Sequence, residues 1–263
     1  MQTEASLRQD LLRTCHVLYQ QGLVAGSTGS LSVRLSPNEI LCTQSNSHKG
    51  LITDEDLLVI DLQGDLLRGV GEIPIEASIH LSVYRSRPSV RAVVHAHPPI
   101  CMAFTLAGLS LEPPVLPTVV RRLGTIVTLP YQTLGTDELA QLVGDTLLDK
   151  DGVLLERQGA VCVGGSLLDA LSLLEEMEQL ARVVLQARSL GVVQPLDPDE
   201  SVKLRAVSLK RDWVTHDGIV EEGDVPHMDL PFVATEDLPQ PIVDSDPFEN
   251  RRRLIDPNGL YGI

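Results

Sequence analysis

Residues 90–99 read Val90-Arg-Ala-Val-Val-His-Ala-His-Pro-Pro99. The apolar run predicts a buried strand over residues 90–96, and the Pro98-Pro99 pair ends regular pairing. In a strand, residues i and i+2 point to the same side. His95 and His97 therefore project together from a strand end. Two imidazoles converging there is how many zinc, iron and manganese sites begin. The other reading is two independently satisfied histidines, because a metal needs at least one more ligand.

Upstream lies Ile73-Pro74-Ile75-Glu76-Ala77-Ser78, where a loop enters a helix expected over residues 75–87. A carboxylate at a helix N-terminus is favoured by the macrodipole, so Glu76 is either a chemical group or a capping charge. His80, one turn on, shares its helix face and is a candidate to reach the same region. His16 and His48 have no such companions and read as surface or loop residues.

Working outward, residues 4–21 read as a helix with Leu7, Leu11, Cys15 and Leu18 at helical spacing. Glycines and prolines punctuate residues 22–70, with strand-like runs at 31–35, 39–43 and 57–62. Thr53 with Asp56 predicts the cap of a short helical turn. Beyond the histidines, a short helix is expected over 99–107 and a β-rich run over 125–129. Thr136 should cap a helix over 137–149, followed by strands at 152–156 and 159–163. Ser166 and Asp169 resemble a capping box opening a long helix over 167–190, with Gly191 at its end. After residue 192 proline and aspartate become frequent, and residues 193–263 read as an extended C-terminal segment following a domain over 1–192. This mixture indicates an α/β protein with helices covering a central sheet.

The chain has 263 residues, 43% hydrophobic and 22% charged, which predicts a well-packed core. A formal net charge of −15 disfavours nucleic-acid backbones and anionic lipid surfaces as partners. Arg251, Arg252 and Arg253 are too short a basic run to reverse this; they would clip an acidic neighbour or make an interface contact. No apolar run approaches the roughly 18–20 residues that span a bilayer. The N-terminus does not read as a secretory signal, so a cytoplasmic protein is expected. Cys15, Cys42, Cys101 and Cys162 form no CxxC pair and read as small buried hydrophobes.

Five ordered stretches carry a resemblance. They are Gly22-Leu-Val-Ala-Gly-Ser-Thr-Gly-Ser-Leu-Ser-Val-Arg34, Thr43-Gln-Ser-Asn-Ser-His-Lys-Gly50, Ile73 to Pro99 as quoted, Pro130-Tyr-Gln-Thr-Leu-Gly-Thr136 and Gln158-Gly-Ala-Val-Cys-Val-Gly164. Together they resemble the class II aldolase/adducin superfamily across roughly residues 5–190. The resemblance implies a three-layer α/β/α fold around a mixed, largely antiparallel sheet. It also implies a divalent metal, with zinc, manganese, iron and cobalt all open, that polarises a carbonyl and stabilises an enolate. By the same resemblance His95 and His97 are metal ligands and Glu76 is the acid/base. The two Gly-rich loops offer Ser27, Thr28, Ser30, Ser45 and Lys49 to the substrate, and the assembly is a homotetramer with sites between subunits.

The chain departs from that pattern in several places. The third metal-ligand position, a histidine in the family, falls on Gln158, a neutral and hard donor. Metal could be kept through Gln158, completed by Glu156 or His80, or lost. The phosphate-binding serine pair is Pro74-Ile75 here, and neither side chain can donate to a phosphate. Ser30 stands where asparagine is expected, Asn46 where glycine is usual, and Leu116 where the aldolase branch has a tyrosine. The leading expectation is a metal-dependent lyase acting by retro-aldol cleavage or decarboxylation. Its small hydroxy-carbonyl or carboxylate substrate would not be a typical sugar phosphate. The alternatives are a metal-free adducin-like scaffold, and an iron oxygenase using two histidines and one carboxylate.

Overall fold

The structure is a computed structural model that describes residues 2–111 and 113–207. The reading of Arg251, Arg252 and Arg253, and most of the C-terminal segment, lies outside the described residues. In chain order the elements are α1 (Glu4–Gln20), β1 (Ser30–Arg34), β2 (Glu39–Thr43), β3 (Leu57–Asp61), β4 (Leu66–Arg68), α2 (Ala77–Ser86), β5 (Ala92–Ala96), α3 (Pro99–Leu106), α4 (Pro117–Arg122), β6 (Thr128–Leu129), α5 (Asp137–Thr146), β7 (Gly152–Leu155), β8 (Gly159–Gly164), α6 (Leu167–Leu190) and α7 (Pro198–Val207).

The described strands form one eight-stranded sheet in the order β4-β3-β2-β1-β5-β8-β7-β6. All neighbours pair antiparallel except β6 with β7. Side chains alternate between the two faces, and each face has its own apolar core. On one side Val94, Ala96, Ala160 and Cys162 pack with α1, α3 and α6. On the other, Val93, Val161 and Val163 pack with α2 and α5. The expected three-layer α/β/α arrangement is therefore present. β5 is buried along its whole length, which explains its unbroken apolar reading.

The expected caps form: Thr136 Oγ1 accepts from the Leu139 N–H and Ser166 Oγ from Asp169, and Thr3 Oγ1, a cap the sequence reading did not name, accepts from Ser6. Thr53 N–H donates to the Asp56 carboxylate and opens a single 3₁₀ turn over Asp54–Asp56. The four cysteines are buried and free, and burial pushes each thiol up.

Several expectations need correction. The helix expected over 137–149 ends at Thr146, and only Thr128 and Leu129 of the 125–129 run form a strand. β4 and α4 were not anticipated. Residues Leu66–Arg68 are exposed throughout, so no apolar alternation marks them, and α4 is too short for a helical period. The segment after 192 contains a helix in its described part. Pro198 opens α7, with Asp199 and Glu200 in its first turn. α7 packs on α4, and Leu196 N–H donates to the Pro114 carbonyl.

Candidate metal centre

His95 is the fourth residue of β5, and His97 follows the strand. Their ring centroids lie 5.2 Å apart. Two glycines let neighbouring backbone close around them. Gly29, with φ +76°, sits so close to the His95 carbonyl that a Cβ there would lie 2.7 Å from it. Gly159, with φ +92°, would place a Cβ 2.0 Å from the Ala96 carbonyl oxygen. Neither position admits a side chain.

The first Gly-rich loop reaches the site through His97, whose N–H donates to the Leu23 carbonyl. The turn between β7 and β8 brings Gln158. Its backbone carbonyl, rather than its side chain, meets His95, at 2.7 Å from Nε2. A carbonyl only accepts, so Nε2 carries the proton and Nδ1 of His95 presents its lone pair. The Gln158 side-chain amide donates to the Gln132 carbonyl. On these three residues, three buried atoms are then left without a hydrogen-bond partner among the described residues: Nδ1 of His95, Nδ1 of His97 and Oε1 of Gln158. Buried polar atoms without partners are rare and call for a cause.

Burial drives all three nearby imidazoles toward the neutral form. His97 falls to about 4, through burial and then the His95 and Lys49 charges. His80 falls to about 3, through burial and then His95. His95 is also lowered by burial, opposed by its bond to Gln158 and by the charge of Glu76. A neutral imidazole is the form that binds a cation.

Glu76 is the N-cap residue of α2, is half-buried, and makes no side-chain capping bond. A carboxylate at that position still lies at the positive end of the helix, so the capping-charge reading stands beside the chemical one. His80 is not a spare ligand. Both ring nitrogens are engaged, Nε2 with Ser30 Oγ at 2.9 Å and Nδ1 with Ser32 Oγ at 2.6 Å. Glu156 is also committed, to the Tyr131 N–H and to Arg157. Among the described residues no three His, Cys, Asp or Glu side chains are grouped to hold an ion. The two-histidine, one-carboxylate set of an iron oxygenase is thus not assembled. Nδ1 of His95, Nδ1 of His97 and Oε1 of Gln158 are the buried donors this segment leaves available to a cation.

The expected substrate contacts divide. Ser27 is exposed and Ser45 half-buried. Thr28 Oγ1 accepts from the Ala25 N–H and keeps its own proton to donate. Ser30 is buried and spent on His80. Lys49 is 1% exposed, and its ammonium donates to the Ser27 and Ser47 carbonyls at 3.2 and 2.9 Å. Burial lowers its pKa against the raising charges of Cys15, Glu76 and Asp56. It therefore ties the two loops together beneath the site. Asn46 occupies the left-handed region at φ 59°, which asparagine tolerates where glycine is usual. Leu116 packs against the core shared by α1, α3 and α6, on the other side of the sheet from His95.

One positioning group escaped the sequence reading. Glu178 of α6 is buried, and its carboxylate accepts from the N–H groups of Ile100 and Cys101 at 3.0–3.1 Å. It thereby holds the start of α3, directly after His97-Pro98. An acid on the buried stripe with Leu174, Met177 and Ala181 was the available signal.

Residues 9–185 match the family model for the class II aldolase and adducin N-terminal domain. The chain belongs to the class II aldolase/adducin family. It is 32% identical over 186 residues to a 3-oxo-tetronate 4-phosphate decarboxylase of Haemophilus influenzae, covering 69% of this chain and 88% of that one. It is 31% identical to an L-fuculose phosphate aldolase of Methanococcus vannielii, covering 66% and 93%. Among solved structures, YgbL of Klebsiella pneumoniae superposes with a TM-score of 0.72 at 31% identity, covering 78% of this chain and all of that one (100%). The L-fuculose-1-phosphate aldolase of Thermus thermophilus gives a TM-score of 0.65 at 31% identity, covering 74% and 100%. Among the described residues no helix is long and apolar enough to cross a membrane.

Proposed function

We propose that this family member is a divalent-metal-dependent carbon–carbon lyase. Its substrate is a small hydroxy-carbonyl or carboxylate compound, cleaved by decarboxylation or retro-aldol chemistry, rather than a typical sugar phosphate. The observation that carries the reading is the set of three unpartnered donors, Nδ1 of His95, Nδ1 of His97 and Oε1 of Gln158, with the Glu76 carboxylate near enough for its charge to act on His95. A divalent ion there would supply Lewis acidity to a substrate carbonyl. The relatives that carry the names decarboxylase and aldolase support the same class of bond cleavage.

Glu76 moves the proton. In a retro-aldol direction its carboxylate takes the proton of the substrate hydroxyl. The carbon–carbon bond breaks, its electron pair remains beside the carbonyl, and the same carboxyl group returns a proton to that carbon. In a decarboxylation, carbon dioxide leaves with no proton to remove, and Glu76 in its acid form only delivers one. The hydroxyls of Ser27, Thr28 and Ser45 are neutral donors suited to a substrate carboxylate. Pro74 and Ile75 offer nothing to a phosphate. We further propose that the chain works as a homotetramer in the cytoplasm.

The test is metal content and thermal shift. Protein purified without chelator should contain a stoichiometric divalent metal. After stripping, at least one of Mn²⁺, Fe²⁺, Co²⁺ and Zn²⁺ should raise its melting temperature. The absence of both effects would remove the lyase reading and leave the adducin-like scaffold.

A further inference from the structure

We infer that His80, clamped by Ser30 and Ser32, is a positioning residue that sets Glu76 against His95; the inference rests on the metal-lyase reading. Glu76 and His80 are four residues apart at the start of α2 and lie one above the other on the same face. His80 is 3% exposed, and each of its ring nitrogens is bonded to a serine of β1. The chain of bonds continues from Ser32 Oγ to the Tyr84 hydroxyl at 2.9 Å, one further turn along α2. α2 is thus tied to β1 across two turns by directional contacts. Apolar packing alone is non-directional and would tolerate a helix sliding along the sheet. A buried polar network of this kind fixes one arrangement when its members are satisfied.

The clamp closes at a particular rung of the sheet. Ser30 is the β1 residue directly opposite His95 on β5, and partners across a rung share a face. The serine that holds His80 is therefore the cross-strand neighbour of the histidine on which the Glu76 charge acts. Helix start, clamp and ligand strand form one short linkage. Ser30, standing where the family resemblance leads one to expect asparagine, spends its hydroxyl on this linkage.

Co²⁺ serves as the probe, with its visible absorption spectrum, its affinity by chelator competition and the denaturant stability measured on the full chain. Ser30→Ala removes one hydroxyl without adding volume. It should weaken Co²⁺ binding by about tenfold and alter the spectrum, as loss of supporting contacts around a metal site does. Ser30→Thr, which keeps the hydroxyl, should restore both. The effects of Ser30→Ala and Glu76→Gln on affinity should be non-additive, because they act through one linkage. A merely structural role predicts lower stability with an unchanged spectrum, unchanged affinity and additive effects; that result overturns the inference alone. A wild-type chain that takes up no Co²⁺ overturns the metal reading and the inference with it. If Ser30→Ala does not fold, His80→Gln is read by the same criteria.

Discussion

The imidazole of His95 is held by the main chain of Gln158, with Nε2 donating across 2.7 Å to its carbonyl. The side chain of Gln158 can therefore be changed without releasing the tautomer. Gln158→Ala should cost about 1 kcal/mol, since a half-buried side chain and its one hydrogen bond to the Gln132 carbonyl are lost. It should nevertheless weaken metal binding through loss of Oε1. Gln158→His, which introduces a better ligand for borderline-soft ions, should raise Zn²⁺ affinity by about tenfold or more. Chelator competition on both variants decides the point. Equal Zn²⁺ affinity in wild type, Gln158→Ala and Gln158→His would show that this side chain faces no ion.

The site was legible in the sequence where chemistry follows from spacing along one element. His95 in β5 and His97 just past its end come together because they are two residues apart, and Glu76 and His80 share a face at the start of α2 because they are four apart. The pairing of His95 with the Gln158 carbonyl was not legible, because a backbone atom leaves no residue-type signal. Nor was the burial of Lys49, whose charge suggested a substrate contact. Only the fold shows that three loop oxygens surround its ammonium. β4 and α7 were missed for a related reason. Their few residues are mostly exposed, and exposed residues carry no apolar period.

Acid should weaken the fold through buried neutral imidazoles. His80 has a folded-state value of about 3 and His97 about 4, against an ordinary 6.5. Between those limits the unfolded chain binds more protons than the folded one, so stability rises with pH there. The contribution is fully present above about pH 6.5. It is lost as pH falls, with His97 saturating near pH 4 and His80 near pH 3. Each group adds a slope of up to about 1.4 kcal/mol per pH unit within its window. Urea denaturation with chelator present should show the stability gap between wild type and His80→Gln narrowing from pH 6.5 toward pH 3. A gap independent of pH would show that His80 is not neutral and buried.

Gly159 should be irreplaceable. Its φ of +92° disfavours a side chain, and an added Cβ would lie 2.0 Å from the Ala96 carbonyl oxygen, which is backbone and cannot swing aside. Gly159→Ala should cost more than about 3 kcal/mol and abolish metal uptake by displacing β8 from the end of β5. Gly124 is the comparison. Its φ is +66° and an added Cβ meets nothing within 4 Å, so Gly124→Ala should cost only about 1 kcal/mol. Similar losses in the two variants would show that the β5–β8 approach is looser than this.

Glu178 should matter to the histidines although it touches neither. Its carboxylate satisfies the first N–H groups of α3, the helix that takes the chain away from His97. Glu178→Gln keeps the size and one acceptor oxygen but loses the charge, and should cost about 1–3 kcal/mol. Glu178→Ala leaves those N–H groups buried without partners and should cost more. Chemical denaturation orders the series. A Glu178→Gln variant as stable as wild type would mean that water reaches the start of α3.

The substrate class can be probed at Pro74 and Ile75. Ile75 is 58% exposed and lies against Gly135, an apolar side chain on the loop that enters the Glu76 helix. Pro74 has no N–H to donate, while its carbonyl accepts from Ala77 and holds the turn. Restoring serine at both positions keeps that carbonyl and adds two hydroxyls and one N–H where a phosphate would sit. Inorganic phosphate should therefore not stabilise the wild type. It should stabilise the Pro74→Ser, Ile75→Ser double variant saturably, by about 1.4 kcal/mol at ten times the dissociation constant. A small carboxylate such as glycolate should show the opposite preference, stabilising the wild type through Ser27 and Ser45. Saturable stabilisation of the wild type by phosphate, weakened by Ser27→Ala or Ser45→Ala, would return the substrate to the sugar phosphates.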